Sequence, residues 1–358
     1  MDILMKQQQF IPMIQAILAA TLFGASAPIA KLLLGEIHPI PLAGFLYLGS
    51  GLGLFFWQVF SRLLRISSSE AHLKRTDFPW LAGAILAGGI MAPIILMFSL
   101  RSTPAATASL LLNFEVVATA IIAVIFFKEA VGSRIWLAIG CITLSTILLS
   151  LNPFAGWGFS IGSLGVIAAC ILWGTDNNLT RNISFKDPIA IVAYKGLIAG
   201  SLSLLLAFAL DIHFPTLKVV FECMLLGLLS YGLSIVLFIL SMRDLGSTRT
   251  VALFSSAPFV GVILSFIIFR EPVSTLFYIG LPIMILGAAL LLGEEHVHIH
   301  KHQEIEHEHS HNHDDIHHNH AHLGELKSKQ GSHTHLHKHD SIKHTHLHTP
   351  DIHHRHSH

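Results

Sequence analysis

Three ionisable side chains sit deep inside long apolar runs of this sequence: Glu115, Asp176 and Lys195. A charge at mid-bilayer depth costs about 2.5–3.5 kcal/mol on insertion scales, which makes each a functional candidate. Glu115 closes the triplet Asn113-Phe114-Glu115 at the centre of an apolar run, 104–127. A lone carboxylate in hydrocarbon favours its neutral, protonated form, which suits proton coupling; a neutral Glu bonded to a neighbouring helix is the structural alternative. Asp176 and Lys195 are equidistant from the turn near residues 185 and 186. At the helical rise they should share one depth, roughly 10–15 Å inside one membrane face. That spacing predicts an ion pair across a helical hairpin. Functionally, Lys195 could instead bind a substrate carboxylate, or trade partners between Asp176 and Glu115. Asn113, Asn177 and Asn178 need partners in lipid or a wet cavity, and are candidate cavity-lining residues.

A second chemistry is written in the last part of the chain, where His-x-His recurs. The positions are His296, His298, His300 and His302, then His307, His309, His311 and His313. Next come His333, His335, His337 and His339, and finally His344, His346 and His348. Imidazoles at this density capture Zn²⁺, Ni²⁺, Co²⁺ or Cu²⁺ with little selectivity beyond the general affinity order. His307-Glu308-His309-Ser310-His311 matches a zinc-protease signature. In a His- and Glu-rich tail the match carries no weight without a stable helix and a third ligand. The tail, 293–358, has too few apolar residues for a core, and disorder is expected.

Composition separates these two parts. Residues 294–358 hold 23 of the 26 histidines and 10 of the 22 acids. Residues 1–293 keep 28 Lys, Arg, Asp and Glu, under half the usual density for a soluble domain. Too few charges remain to cover a water-facing surface, which excludes a soluble enzyme and a nucleic-acid binder and leaves a polytopic membrane protein. The overall net charge of zero is a body of +4 cancelled by a tail of −4 while the histidines are neutral; protonation near pH 6 would make the tail strongly positive. Cys141, Cys170 and Cys223 lie in apolar runs without metal-ligand spacing and read as small buried hydrophobes.

The elements that position Glu115, Asp176 and Lys195 are ten apolar runs, each near the 20 or so residues that cross a bilayer as a helix. They lie at about 11–33, 40–63, 79–100, 104–127, 134–152, 160–183, 188–210, 218–241, 248–269 and 273–292. Ala25-Ser26-Ala27 resembles a signal-peptidase site, but the run continues apolar to Leu34 and cleavage is not expected. Gly24, Pro28, Pro93, Gly174 and Pro258 should interrupt helices. Lys31, Arg101, Arg181 and Arg243, near helix ends, should snorkel to headgroups.

The chain also repeats. Leu22-Phe23-Gly24 with Lys31 aligns with Leu172-Trp173-Gly174 and Arg181, 150 positions later. Leu100-Arg101 and Phe127-Lys128-Glu129 align with Met242-Arg243 and Phe269-Arg270-Glu271, with 28 residues from Arg to Glu in both. Two five-helix repeats follow, 1–152 and 160–292, and five is odd, so the second enters from the opposite face, as in secondary transporters. With the N-terminus inside, eleven basic residues fall on the cytoplasmic side and four, Lys31, Arg101, Lys218 and Arg270, outside. This bias predicts cytoplasmic N- and C-termini in the plasma (inner) membrane.

These motifs, with Trp173-Gly174-Thr175-Asp176-Asn177-Asn178 and Lys195-Gly196, resemble the EamA family of the drug/metabolite transporter superfamily over about 11–292. The resemblance implies a proton-linked or facilitated carrier, an exporter of amino acids, metabolites or drugs, with no enzyme chemistry and no required cofactor. The expected partners are a small-molecule substrate and the lipid bilayer, not nucleic acid; a homodimer is left open. The rival reading is a divalent-metal transporter using the tail as a collector. It is weakened because the body's histidines, His38, His72 and His213, lie outside the spans.

Overall fold

A backbone in hydrocarbon must satisfy its amides within its own segment, so long apolar runs become helices. The computed structural model describes residues 2–64, 72–127, 131–152, 158–183, 186–245, 250 and 253–291, with four short pieces of the tail, 296–301, 305–311, 333–339 and 343–348. Among the described residues the body is ten helical segments. Helix α1 is Asp2–Gly24, resumed after Ala25 as Ser26–Leu33; α2 is Pro39–Leu63. Helix α3 joins Phe78–Ala84, a π-helical turn Ile85–Met91, and Ala92–Ser102. Helix α4 is Ala105–Leu111 and Phe114–Phe127; α5 is Ser133–Ser150; α6 is Ile161–Arg181; α7 is Pro188–Ala209. Helix α8 joins Leu217–Gly227, a second π-helical turn Leu228–Leu233, and Ser234–Leu245; α9 is Ala257–Phe269 and α10 Thr275–Leu291.

Seven of these (α1 to α5, α7 and α8) are long and apolar enough to cross a membrane. Helix α6 has 21 residues but carries the polar run Thr175-Asp176-Asn177-Asn178, while α9 and α10 are shorter, at 13 and 17 residues. The protein is a multi-pass membrane protein. Its rim agrees: Phe126, Phe208 and Ile267 are more than half exposed, a pattern lipid tolerates and water does not. Trp57, Trp80 and Trp136 are exposed near helix ends; Trp157 lies outside the described residues.

Local chemistry explains the ends. Asp187 caps α7, its Oδ1 accepting from the backbone N–H of Ile189 (2.9 Å) and Ala190 (3.2 Å), ahead of Pro188 at the first helical position. The Ser160 side chain caps α6 by accepting from Ser163 N–H. Between α5 and α6, β1 (Leu151–Asn152) pairs antiparallel with β2 (Gly158–Phe159).

The helices pack in a definite pattern: α2 on α7, α5 on α10, α4 on α9, α1 on α8, and α3 on α6. Small residues set the distances, because helices in lipid associate by close backbone approach. Where α2 crosses α7, a β-carbon on Gly196 would lie 2.6 Å from Gly51 N and 2.7 Å from Tyr47 O.

One expectation is corrected here. Gly174 does not interrupt a helix: α6 runs unbroken through it, and the missing side chain instead lets α4 approach, a β-carbon there lying 2.8 Å from Thr119 N. In the tail, β3 (His296–Lys301) pairs antiparallel with β6 (Lys343–His348), and β4 (Ile305–His311) with β5 (His333–His339); His-x-His has the two-residue period of a strand. The tail's histidine side chains, and therefore the metal-ligand assignments, lie outside the described residues.

Candidate functional site

The site begins with a break that no glycine or proline marks. At Leu112 and Asn113 the α4 backbone tightens: Asn113 N–H donates to Leu110 O, Glu115 N–H to Leu112 O, and Val116 N–H to Asn113 O. These bonds span three residues instead of four, so Leu111 O loses its ordinary partner and accepts from the Cys170 thiol at 3.7 Å. The break places Glu115 in the first turn of the second half-helix, where the positive end of the helix dipole favours an anion.

Glu115 is not alone. Asn177 on α6 donates from Nδ2 to Glu115 Oε1 at 2.9 Å and to Thr119 Oγ1 at 3.2 Å. Thr119 Oγ1 donates to Glu115 O at 2.8 Å. Next door, Asn178 Nδ2 bridges Thr119 O (3.1 Å) and Gly174 O (2.8 Å), sealing α4 to α6. Asn113 is buried in the break, and its Nδ2 and the hydroxyl of Ser109, one turn earlier, have no hydrogen-bond partner among the described residues.

Two residues before Asn178, Asp176 forms a direct ion pair with Lys195 between α6 and α7. The side chains are 5% and 17% exposed, and Thr180 Oγ1 donates to the other Asp176 oxygen at 3.0 Å. Both Asp176 and Lys195 lie within electrostatic reach of Glu115. The structure thus draws Glu115, Asp176, Lys195, Asn177 and Asn178 into one neighbourhood on α4, α6 and α7.

Aromatic side chains cluster on neighbouring helices, a grouping the sequence reading did not draw. Tyr47 and Tyr231 stack at 5.6 Å between ring centroids. Phe23 meets Tyr231 at 6.0 Å and Phe254 at 5.4 Å. Tyr47 OH (2.6 Å) and Trp173 Nε1 (3.0 Å) both donate to Gly88 O. A signal for them existed: Tyr and Trp inside apolar runs each carry a polar atom that must find a partner when buried.

Two charged networks lie at opposite ends of the bundle. At one, Lys31 Nζ pairs with Glu271 Oε1 at 2.9 Å and donates to Thr103 O at 2.6 Å, while Glu271 Oε2 accepts from Ala105 N–H at 2.7 Å. Arg270 holds a left-handed backbone, φ 51°, which turns Glu271 back onto the start of α4. Lys31 is therefore a tie between α1, α4 and α9, and the expectation that it snorkels to headgroups is corrected: a carboxylate and a carbonyl stand within its reach. At the other end, buried Lys186 lies 3.9 Å from Asp77 Oδ2, and Asp77 also accepts from Lys74 N–H at 2.7 Å. The partner motif Phe127-Lys128-Glu129 lies largely outside the described residues. Among the described residues, no three His, Cys, Asp or Glu side chains converge as a metal site.

The site thus combines a carboxylate at a helix break, a buried ion pair on the adjoining helices and a cluster of aromatic rings. Comparison with known proteins places the chain among transporters. An uncharacterized transporter of Methanothermobacter thermautotrophicus is 30% identical over 291 residues, covering 78% of this chain and 85% of that protein. A solved crystal structure shares the fold at a TM-score of 0.56 and 18% identity, over 79% of this chain and 95% of its own. The model of the EamA-like transporter family matches twice, at residues 10–151 and 160–293, and with three-quarters of its length so matched the chain belongs to that family of membrane transporters.

Proposed function

We propose that this protein is a secondary exporter of a small, amino-acid-like organic metabolite, working by alternating access and coupled to protons through Glu115. The observation that carries the reading is Glu115 held at the α4 break by Asn177, within electrostatic reach of the Asp176–Lys195 pair. A carboxylate and an ammonium a few side chains apart suit the two charges of a zwitterion, and the aromatic cluster suits its apolar part.

The scaffold is read as ten spans in two inverted repeats, 1–152 and 160–292, with both termini in the cytoplasm and the inner (plasma) membrane as the location. Several features support it. Replace each of the first five helices by its counterpart in the last five, and the packing maps onto itself: α1 on α8 becomes α6 on α3, and the other pairs exchange internally. The π-helical turns start at Ile85 and Leu228, 143 positions apart. The α4 break at Leu112–Asn113 is matched by a tight turn at Ser255–Ser256, just before α9. Broken helices at a repeat interface are where carriers of this build hold substrate.

Uptake into proteoliposomes under an imposed pH gradient tests the function, with L-amino acids in one set and Zn²⁺ or Ni²⁺ in another. Gradient-stimulated amino-acid uptake is expected, and Glu115→Gln should remove the stimulation. Gradient dependence retained in that variant removes Glu115 from the mechanism. The second reading, a divalent-metal carrier, has the 23 histidines of residues 294–358 in its favour; uptake of metal without amino acid in the same vesicles would establish it.

A further inference from the structure

The π-helical turn of α3 leaves one carbonyl without a backbone partner. Ala92 N–H reaches back five residues to Ala87 O. Gly88 O would next be met by the N–H of residue 93, but that residue is Pro93, which has none. Gly88 O therefore opens sideways, and Tyr47 OH from α2 and Trp173 Nε1 from α6 both donate to it. Both side chains are buried, at 7% exposed.

The same glycine is the floor of the ion pair. A β-carbon on Gly88 would overlap the carboxyl group of Asp176, so Asp176 rests directly on the π-helical turn. Trp173 stands one turn before Asp176 on α6. Tyr47 stands one turn before Gly51, where α2 touches Gly196 beside Lys195. Three helices that carry or flank the pair thus converge on one carbonyl. The α8 turn is pinned differently: no proline follows it, and hydroxyls in and just after it donate to α1, Ser230 to Leu22 O at 2.7 Å and Ser234 to Ala19 O at 2.9 Å.

We infer that Tyr47 and Trp173 are positioning residues that hold the Pro93-freed carbonyl of Gly88 and thereby set the Asp176–Lys195 pair. π-Helical turns recur at functional sites because one surplus residue re-aims a side chain; here the surplus backbone forms the seat of Asp176. The inference builds on the site proposed above, but its test needs no substrate.

Full-length protein in nanodiscs is compared as wild type, Tyr47→Phe/Trp173→Phe, and the same double variant carrying Pro93→Ala. Two readouts follow: hydrogen–deuterium exchange of peptides covering 85–96, and modification of Lys195 by a small amine reagent, read by mass spectrometry. Losing two hydrogen bonds should raise exchange about tenfold and increase Lys195 modification. Pro93→Ala returns an N–H in register with Gly88 O and should reverse both changes. An effect that Pro93→Ala leaves in place assigns Tyr47 and Trp173 to packing and overturns the inference, as does a double variant indistinguishable from wild type. Should the double variant not fold, Tyr47→Phe with and without Pro93→Ala makes the same comparison. Because neither readout involves transport, failure here stands apart from failure of the proposed function.

Discussion

Removing Lys195 alone would leave Asp176, 5% exposed, as a buried charge facing Thr180, and removing one partner of a buried pair costs about 3–5 kcal/mol. Lys195→Ala should therefore lower the thermal midpoint in detergent sharply, whereas the neutral double variant Asp176→Asn/Lys195→Met should recover most of the loss. Transport by the charge-swapped protein, Asp176→Lys with Lys195→Asp, separates the two roles: restoration makes the pair structural. His38, outside the spans between α1 and α2, shows a different balance. Burial and the nearby Arg101 hold its imidazole below the usual histidine range, and its Nδ1 accepts from Ile40 N–H at 3.4 Å. Folding thus favours neutral His38, so its contribution is present above the unfolded pKa near 6.5 and is lost as pH falls below it. An NMR titration should place the His38 midpoint lower in the folded protein than in an unfolded peptide. At this scale the sequence was informative but incomplete. Equal spacing from a turn brought Asp176 and Lys195 together on paper, because hairpin depth is arithmetic. Nothing in the local sequence joined Asn177 to Glu115, which lie 62 positions apart.

Helices in this bundle touch through glycines or turn glycines to lipid, and substitution should separate the two cases. Gly196→Ala sets a methyl 2.6 Å from the α2 backbone and should destabilise by about 1–3 kcal/mol as α2 and α7 part. Gly140→Ala on α5 meets nothing within 4 Å and should be neutral or stabilising by up to about 1 kcal/mol, since Ala is the better helix former. Denaturant or thermal unfolding of the two variants side by side checks both. Helix ends were legible because apolar length is local; α4 was expected over 104–127, and its second half runs Phe114–Phe127. Helix interruptions were legible only in part: α1 breaks directly after Gly24, as expected. Pro93 hinted at the π-helical turn, yet the α4 break has neither proline nor glycine, and Gly174 sits in a continuous helix. Interruptions depend on what neighbouring helices offer the freed carbonyls, as Cys170 does for Leu111.

Across the molecule, the Lys31–Glu271 tie and the Asp77–Lys186 pair stand at opposite ends, and the alternating access proposed above requires that one end open at a time. Glu271→Ala removes the ion pair to Lys31 and the acceptor for Ala105 N–H, so a Thr103→Cys reporter, buried at that end, should react faster with maleimide in a background lacking Cys141. The tail makes a separate expectation: calorimetry should show Zn²⁺ or Ni²⁺ binding to the full chain and its loss when 294–358 is deleted, because nearly all the imidazoles lie there. Sequence by itself determined that this is a membrane protein of repeated helices with a histidine tail, since hydropathy, charge density and periodicity are sums over neighbours along the chain. Tertiary structure alone decided that a carbonyl freed by Pro93 meets Tyr47 and Trp173, that Lys31 faces Glu271 instead of lipid, and that Glu115 has a donor. Each of those contacts joins residues scores of positions apart, and in hydrocarbon an unpaired polar group takes whichever partner the packing of helices brings near.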